Sequence, residues 1–115
     1  MSDLHPDLKR LSHEFISWLK DESSPDNPRT SADVLRRFGI RDTQTRELVN
    51  WLRSKGDPIV SLIGSDQRGY YWLDSWQSAQ PTLAHLRSRI AGIDAAHRGL
   101  CRAFKRNEEQ AELVL

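Results

Sequence analysis

The sequence SADVLRRFGIRDTQTRELVNWLRSKG, residues 31–56, contains two segments with helical apolar spacing, separated by a turn of three or four residues around Gly39. Two short amphipathic helices joined in this way are typical of a helix-turn-helix. Ser31 suits the N-cap of the first helix, because its hydroxyl can accept a hydrogen bond from a first-turn amide. Gly39 and Gly56 suit the left-handed residue that closes a helix. These residues predict a helix-turn-helix at the centre of the fold.

Each predicted helix has one apolar face and one polar face. The apolar residues, which we expect to be buried, are Val34, Leu35, Phe38, Leu48, Val49, Trp51 and Leu52. The second helix leaves six polar residues on its other side, namely Thr43, Gln44, Arg46, Glu47, Asn50 and Arg53. Side chains of these types can bond to base edges or to phosphates. A helical hairpin whose polar face is only solvated is the alternative.

At 115 residues the chain is expected to form one domain with its own core. Its 37% hydrophobic and 29% charged residues are typical of a soluble protein. No apolar run approaches the roughly 20 residues that span a membrane, and the N-terminus lacks the features of a signal peptide. The single cysteine, Cys101, permits no internal disulfide, which favours a reducing compartment. We therefore expect a cytoplasmic protein.

The net charge of +1 hides an uneven distribution. Residues 29–106 hold 14 Lys and Arg against 7 Asp and Glu, whereas the segments on either side are net acidic. A basic middle between acidic ends favours an anionic partner. An enzyme is not indicated, because the sequence contains no phosphate-binding Gly loop, no Cys/His metal cluster and no nucleophile-elbow pattern. We therefore predict no catalytic residue, metal ligand or cofactor.

A first helix is predicted from about residue 5 to residue 21. Its apolar residues recur at spacings of three and four and should pack in the core; they are Leu4, Leu8, Leu11, Phe15 and Trp18. Two prolines and several turn-forming residues make 21–28 a loop. Arg29 and Thr30 then lead into the helix-turn-helix and can add a brief edge strand.

The residues after Gly56 predict a β-hairpin. Residues 59–63 and 70–73 are rich in β-branched and aromatic side chains, and 64–69 is a turn-forming connection between them. A two-stranded hairpin is marginally stable alone. We therefore expect it to pack on the preceding helices, through Ile59, Leu62, Tyr70 and Trp72.

Residues 31–73 resemble the winged helix at the N-terminus of the biotin-operon repressor and the winged helices of small phage and mobile-element regulators. The residues that carry the resemblance are Gly39, Ile40 and the run through Leu52 and Gly56, then Ile59, Gly69 and Tyr70. One departure is Thr45, which stands where the recognition helix usually has an aliphatic residue, so its methyl group must fill the core. Nothing in the chain resembles a biotin-ligase domain.

The resemblance implies that helix 42–55 enters the major groove of double-stranded DNA. The base contacts it implies are Gln44 and Asn50 to adenine, Arg46 to guanine and Glu47 to cytosine, with Thr43 beside them. The phosphate contacts it implies are Arg29, Arg41, Arg53 and Lys55. The loop 64–69 becomes a wing whose Arg68 reaches a minor groove or the backbone. Some winged helices bind proteins instead, and that is the alternative.

The C-terminal part predicts a long helix over residues 75–106, followed by an acidic tail, 107–115, that we expect to fray. Pro81 predicts that the helix starts near Gln80 or is kinked there. A seven-residue repeat, typical of a coiled-coil seam, runs through Leu83, Leu86, Ile90, Ile93, His97, Leu100 and Phe104. Either the apolar face of the first helix or the same helix of a second subunit can cover this seam.

In a parallel homodimer, Arg89 and Asp94 flank the seam, and His97 is a polar seam residue that can fix the register. Gly92 and Gly99 each weaken the helix by about 1 kcal/mol relative to Ala. We therefore expect the helix to pack partly on its own domain and partly across a two-fold axis.

The whole sequence predicts a mainly α fold with a small β-hairpin. Its parts are a winged helix-turn-helix domain over 1–74, a packing and dimerisation helix over 75–106, and the acidic tail. The predicted function is that of a dimeric, sequence-specific DNA-binding protein, either a transcriptional regulator or a phage or mobile-element accessory factor. A winged helix used as a protein-binding adaptor, without direct DNA contact, is the alternative.

Overall fold

The computed structural model describes residues 3–63 and 67–114, with the side chains of these residues up to position 110. Its elements are α1 (Pro6–Glu22), α2 (Ser31–Phe38), α3 (Asp42–Ser54), β1 (Ile59–Ile63), β2 (Arg68–Trp72) and α4 (Trp76–Val114). The predicted mainly α fold with a small β-hairpin and a long C-terminal helix is confirmed. None of the helices in the described ranges combines the length and the apolarity that a membrane span requires.

The first three helices and the hairpin enclose one hydrophobic core. Its fully buried apolar side chains come from all three helices; they are Phe15, Leu19, Val34, Leu48, Val49 and Leu52. The rings of Phe15, Trp18 and Phe38 pack on one another, with centroids 5.3–6.1 Å apart. Fully burying one such side chain contributes about 1.5–3 kcal/mol, so these faces determine how the helices pack. The prediction that Leu35 joins this core is wrong: it is 50% exposed, because α2 directs its neighbour Val34 inward.

Thr45, the polar residue within the apolar face of α3, is fully buried, as predicted. Its hydroxyl donates to the backbone oxygen of Arg41, 3.0 Å away and one turn earlier in the helix. The hydroxyl is therefore satisfied within the helix, and the methyl group fills the core.

The N-cap of α2 is Thr30, so the prediction of Ser31 is wrong by one residue. The hydroxyl of Thr30 accepts from the amide of Asp33, and the carboxylate of Asp33 accepts from the amide of Thr30. This reciprocal capping box fixes the start of the helix. Ser31 is the first helical residue instead. Gly39 ends the helix at φ 73°, the left-handed conformation predicted for it.

The hairpin is antiparallel, with Ile59 opposite Trp72 and Ser61 opposite Tyr70. Residues opposite each other lie on the same face. Ile59, Tyr70 and Trp72 therefore pack on the helical core together, as predicted. The prediction that Leu62 joins them is wrong, because side chains alternate along a strand and Leu62 lies on the other face.

Both edges of the hairpin are covered by protein groups. Along β2, Arg29 exchanges two backbone hydrogen bonds of 2.8 Å with Tyr70, which form an isolated β-bridge where a brief edge strand is predicted. Along β1, the hydroxyl of Thr82 in α4 accepts from the amide of Ser61 at 3.2 Å and donates to its carbonyl at 3.1 Å. One threonine side chain thus satisfies both outward-facing backbone groups of Ser61.

Gly69 is required beside the bridge between Arg29 and β2. Its φ is 144°, and a Cβ at this position would lie 2.5 Å from the backbone oxygen of Arg29. Only glycine allows the two backbones to approach so closely.

The long helix differs from its prediction at both ends. It begins at Trp76, with Pro81 inside it, and continues through Val114. Of the two alternatives predicted at Pro81, the start near Gln80 is therefore wrong, and the helix also extends beyond its predicted end at residue 106. The contact of Thr82 with β1 stabilises the first turns despite the amide that Pro81 lacks.

The chain divides into two compact units, Met1–Thr82 and Leu83–Leu115. The first turns of α4 therefore belong to the first unit. The described residues of the second unit, 83–114, are the rest of α4.

Replacing Thr82 by Val should lower the free energy of unfolding by about 1–3 kcal/mol, because it leaves the amide and carbonyl of Ser61 without a partner. Chemical denaturation followed by circular dichroism measures the loss. Thr43→Val, on the exposed side of α3, is the matched control and should change stability by less than about 0.5 kcal/mol. Equal midpoints for the two variants would show that Thr82 does not hold the hairpin.

Candidate nucleic-acid interface

The outward side of α3 carries four of the residues that the sequence assigns to DNA. Thr43, Arg46, Glu47 and Asn50 are all exposed, and their spacing puts them on one side of the helix. We call these four residues the polar strip. The opposite side of α3 is buried in the core. The helix thus exposes its polar side chains, while its apolar side packs in the core.

Gln44 is half-buried and acts as a helix cap. Its Oε1 accepts a 2.9 Å hydrogen bond from the backbone amide of Arg41, the N-cap residue of α3. Only this half of a capping box can form, because the guanidinium of Arg41 has no acceptor atom. Paired bonding to adenine requires both atoms of an amide group. The structure therefore uses Gln44 to stabilise α3, whereas the sequence assigns it to a base.

Asp42 organises the first turn of α3. Its carboxylate forms an ion pair with Arg46 one turn later and accepts a 2.6 Å hydrogen bond from the hydroxyl of Ser31 in α2. The Ser31 hydroxyl, and then Arg46, lower the pKa of Asp42 below its ordinary value of 3.8. The charged carboxylate thus joins two helices and orients Arg46. A guanidinium has five donors, so Arg46 keeps others for a ligand.

Arg53 lies at the other end of α3 and contacts the hairpin. Its Nε donates to the backbone oxygen of Ile59 at 2.9 Å, and its Nη2 donates to the hydroxyl of Ser61 at 2.6 Å. Burial raises the pKa of Tyr70, opposite Ser61 in the hairpin, and the charge of Arg53 opposes that rise. The structure therefore places Arg53 between α3 and β1, whereas the sequence assigns it to a phosphate.

The other predicted phosphate ligands differ in exposure. Arg41 and Lys55 are exposed at the two ends of α3, and the ammonium of Lys55 lies 4.2 Å from the centroid of the Trp51 ring. Arg29 is half-buried, and its Nε donates to the backbone oxygen of Glu22 at 2.6 Å. Arg41 and Lys55 therefore extend the polar strip at its ends, whereas Arg29 ties the loop before α2 to the end of α1.

Arg68 is exposed at the start of β2, opposite Ile63. It belongs to the predicted wing, residues 64–69, of which residues 64–66 lie outside the described residues. Arg68 is therefore an exposed cation at the end of the hairpin that adjoins this loop.

A shallow cleft adjoins the polar strip. It has a volume of about 360 Å³ and lies between the first turns of α1 and α3. Its lining combines apolar side chains with both signs of charge; the residues are His5, Asp7, Leu8, Leu11, Ile40, Arg41, Thr43, Gln44 and Glu47. Because its charges are mixed, the cleft does not favour a small anion as a ligand of its own.

Besides the contacts of Asp42 and Thr82, two further arrangements are missing from the sequence prediction. One is the contact of Arg53 with Ser61, which no spacing in the sequence reveals. The other lies in the second unit, where Sγ of Cys101 is 3.9 Å from Nε2 of His97. The sequence contains a signal for this second contact, because residues four positions apart lie on the same side of a helix. Within the part of the chain that the structure describes, no three His, Cys, Asp or Glu side chains are grouped to hold a metal ion.

Comparisons with known proteins give no identification. No protein family matches the chain, and neither a curated protein nor a solved structure matches it. The function must therefore be inferred from the polar strip and the groups that hold it in place.

The contacts of Asp42 should make stability depend on pH in acid solution. A carboxylate with a lowered folded pKa stabilises the fold above its unfolded pKa and loses this contribution as the pH falls through the folded value. We therefore expect Asp42→Asn to be less stable than the parent at neutral pH, by less than about 1 kcal/mol because the pair is partly exposed. The difference should shrink below about pH 4.

Thermal unfolding at about pH 7 and pH 3 measures this difference. Ser31→Ala should reproduce part of it, because the Ser31 hydroxyl contributes most to the lowered pKa of Asp42. A difference of the same size at both pH values would contradict the assignment to the carboxylate charge.

Proposed function

We propose that this chain is a sequence-specific, double-stranded DNA-binding protein of the winged-helix type, in which α3 enters the major groove. The observation that carries the proposal is the two-sided placement of α3: its apolar side is buried in the core, and its polar strip is exposed. The major groove admits an α-helix presented in this way. Such a protein acts as a transcriptional regulator or as a phage or mobile-element accessory factor.

Three residues of the polar strip suit base edges. Arg46 suits guanine, which offers two acceptors in the major groove, and Asn50 suits adenine, which offers a donor and an acceptor. Glu47 suits cytosine, whose amino group donates. In this proposal Gln44 supports the strip as a cap and does not read a base.

Phosphate contacts are assigned to three exposed cations, two of which lie at the ends of the helix that carries the polar strip. Arg41 and Lys55 are at the two ends of α3, and Arg68 is at the end of the hairpin. Phosphate contacts fix the register of a protein on the duplex without reading its sequence. Arg29 and Arg53, which donate to backbone oxygens, support the interface from within the protein.

A homodimer through α4 and a cytoplasmic location belong to the same proposal. One polar strip contacts few base pairs, whereas a two-fold pair doubles the site. The exposed free thiol of Cys101 suits a reducing compartment.

Salt titration separates this proposal from a protein-docking module. Each neutralised phosphate contributes about −0.9 to the slope of log affinity against log salt. A homodimer with three phosphate contacts per copy should therefore lose about a thousand-fold in affinity between roughly 50 and 200 mM salt. The duplex for this titration comes from selection on a random library. A chain that selects no duplex, or whose binding ignores salt, would contradict the proposal.

Replacing Arg46 and Asn50 together by Ala should remove sequence preference, because each base contact contributes about 1–3 kcal/mol of discrimination. Both residues are exposed, so the melting temperature should change little. Fluorescence anisotropy with selected and scrambled duplexes measures the preference. Unchanged selectivity would exclude α3 as the recognition helix.

Arg41→Ala is the matched test of a phosphate contact. It should weaken binding to all sequences alike and reduce the salt slope by about 0.9 for each copy. The control is Arg10→Ala, an exposed arginine of α1 that pairs with Asp7. That control should leave both affinity and selectivity unchanged.

A further inference from the structure

The second unit is a helix with an uncovered apolar face. Five large apolar residues of its seven-residue repeat are 46–72% exposed; they are Leu83, Ile90, Ile93, Leu100 and Phe104. Gly92 and Gly99 each weaken this helix relative to Ala, and helices in proteins owe most of their stability to the packing of an amphipathic face. A helix of this composition needs a partner along its apolar face.

The apolar face of α1, one of the two partners that the sequence allows, is already occupied. Leu8, Phe15 and Leu19 are buried in the core of the first unit, with at most 4% of their surface exposed. The remaining candidate is the same helix of another copy.

We infer that a second copy of this chain covers the apolar face of α4, with the two helices parallel and in register over residues 83–107. The inference that two copies pair is argued from the exposed apolar repeat and from the charged residues beside it. Its consequence for DNA rests on the proposed function.

The polar residues of the repeat select the parallel arrangement. Asn107 continues the repeat after Phe104, so His97 and Asn107 are its two polar members. In a parallel pair, His97 faces His97 of the partner subunit and Asn107 faces Asn107 of the partner subunit, while apolar residues face each other.

In an antiparallel pair whose residues 83–107 overlap completely, each of these polar residues faces an apolar one. It places His97 against Ile93 of the partner subunit and Asn107 against Leu83 of the partner subunit. A polar group buried against an apolar one loses its water without gaining a hydrogen bond. The parallel pair is therefore favoured.

Charges beside the seam fit the same alignment. Arg89 precedes Ile90 and Asp94 follows Ile93, so Arg89 lies beside Asp94 of the partner subunit, twice by symmetry. Within one copy, Asp94 pairs with Arg98 at 2.9 Å. A carboxylate has lone pairs enough to accept from both arginines, so the two contacts are compatible.

The parallel alignment sets the symmetry of the DNA site. Because α4 begins within the first unit, a parallel pair joins two first units at the same end of the coil. Two polar strips related by a two-fold axis match an inverted repeat, with half-sites about one helical turn, ~34 Å, or a multiple of it apart.

Sedimentation equilibrium of the full chain, without DNA, tests the partner. The parent should show twice the monomer mass of 13.3 kDa. Ile93→Glu should be monomeric, whereas Ala95→Glu, which adds the same charge at an exposed position outside the repeat, should stay dimeric. Both variants should keep the near-ultraviolet signal of the tryptophans in the first unit. A monomeric parent, or two variants that sediment alike, would overturn the inference.

Disulfide trapping tests the direction. In a Cys101→Ser background, Leu86→Cys should form an interchain disulfide on mild oxidation, because position 86 faces itself only in the parallel pair. A dimer that forms no such disulfide would overturn the parallel alignment. A trapped dimer that selects no DNA would support the pairing and contradict only the proposed function.

Discussion

Ser61 is hydrogen-bonded to two helices at once, and the placement of the hairpin depends on this residue. Its hydroxyl accepts from Arg53 of α3, while its backbone amide and carbonyl bond to Thr82 of α4. A two-stranded hairpin is marginal alone, but here the other edge is also bridged, by Arg29. The hairpin therefore links the helix that carries the polar strip to the first turns of α4.

Hydrogen bonds within the protein determine which polar side chains of α3 remain available to a ligand. Gln44 caps the helix and Arg53 holds the hairpin, whereas Glu47 and Asn50 stay exposed on the polar strip. The sequence locates the polar side of α3, because helical spacing is a local property. It does not separate these roles, because residue type defines what a side chain can bond to and not which group folds beside it.

The same distinction explains which parts of the fold the sequence predicts. Helix positions and the hairpin follow from apolar spacing, whereas the errors occur where two local choices are nearly equal. Thr30 and Ser31 can both cap a helix, and the carboxylate of Asp33 decides between them by bonding back to Thr30. Ile59 and Leu62 lie on opposite faces of β1 in any register, because side chains alternate along a strand, and packing on the helices selects the face of Ile59. Pro81 favours a later helix start, and a tertiary contact of the next residue overrides that preference.

Asp42 is an acidic residue in the helix that we propose binds DNA, and its ion pair with Arg46 makes its negative charge compatible with that proposal. An exposed pair contributes only about 0–1 kcal/mol, less than the roughly 1–3 kcal/mol of discrimination from a base contact. Ordering a long side chain such as arginine costs about 1.5–2 kcal/mol. Because the pair already restricts Arg46, part of that cost falls on folding rather than on binding. Asp42, held in turn by the hydroxyl of Ser31, therefore positions Arg46 without preventing the contact with a base that we propose.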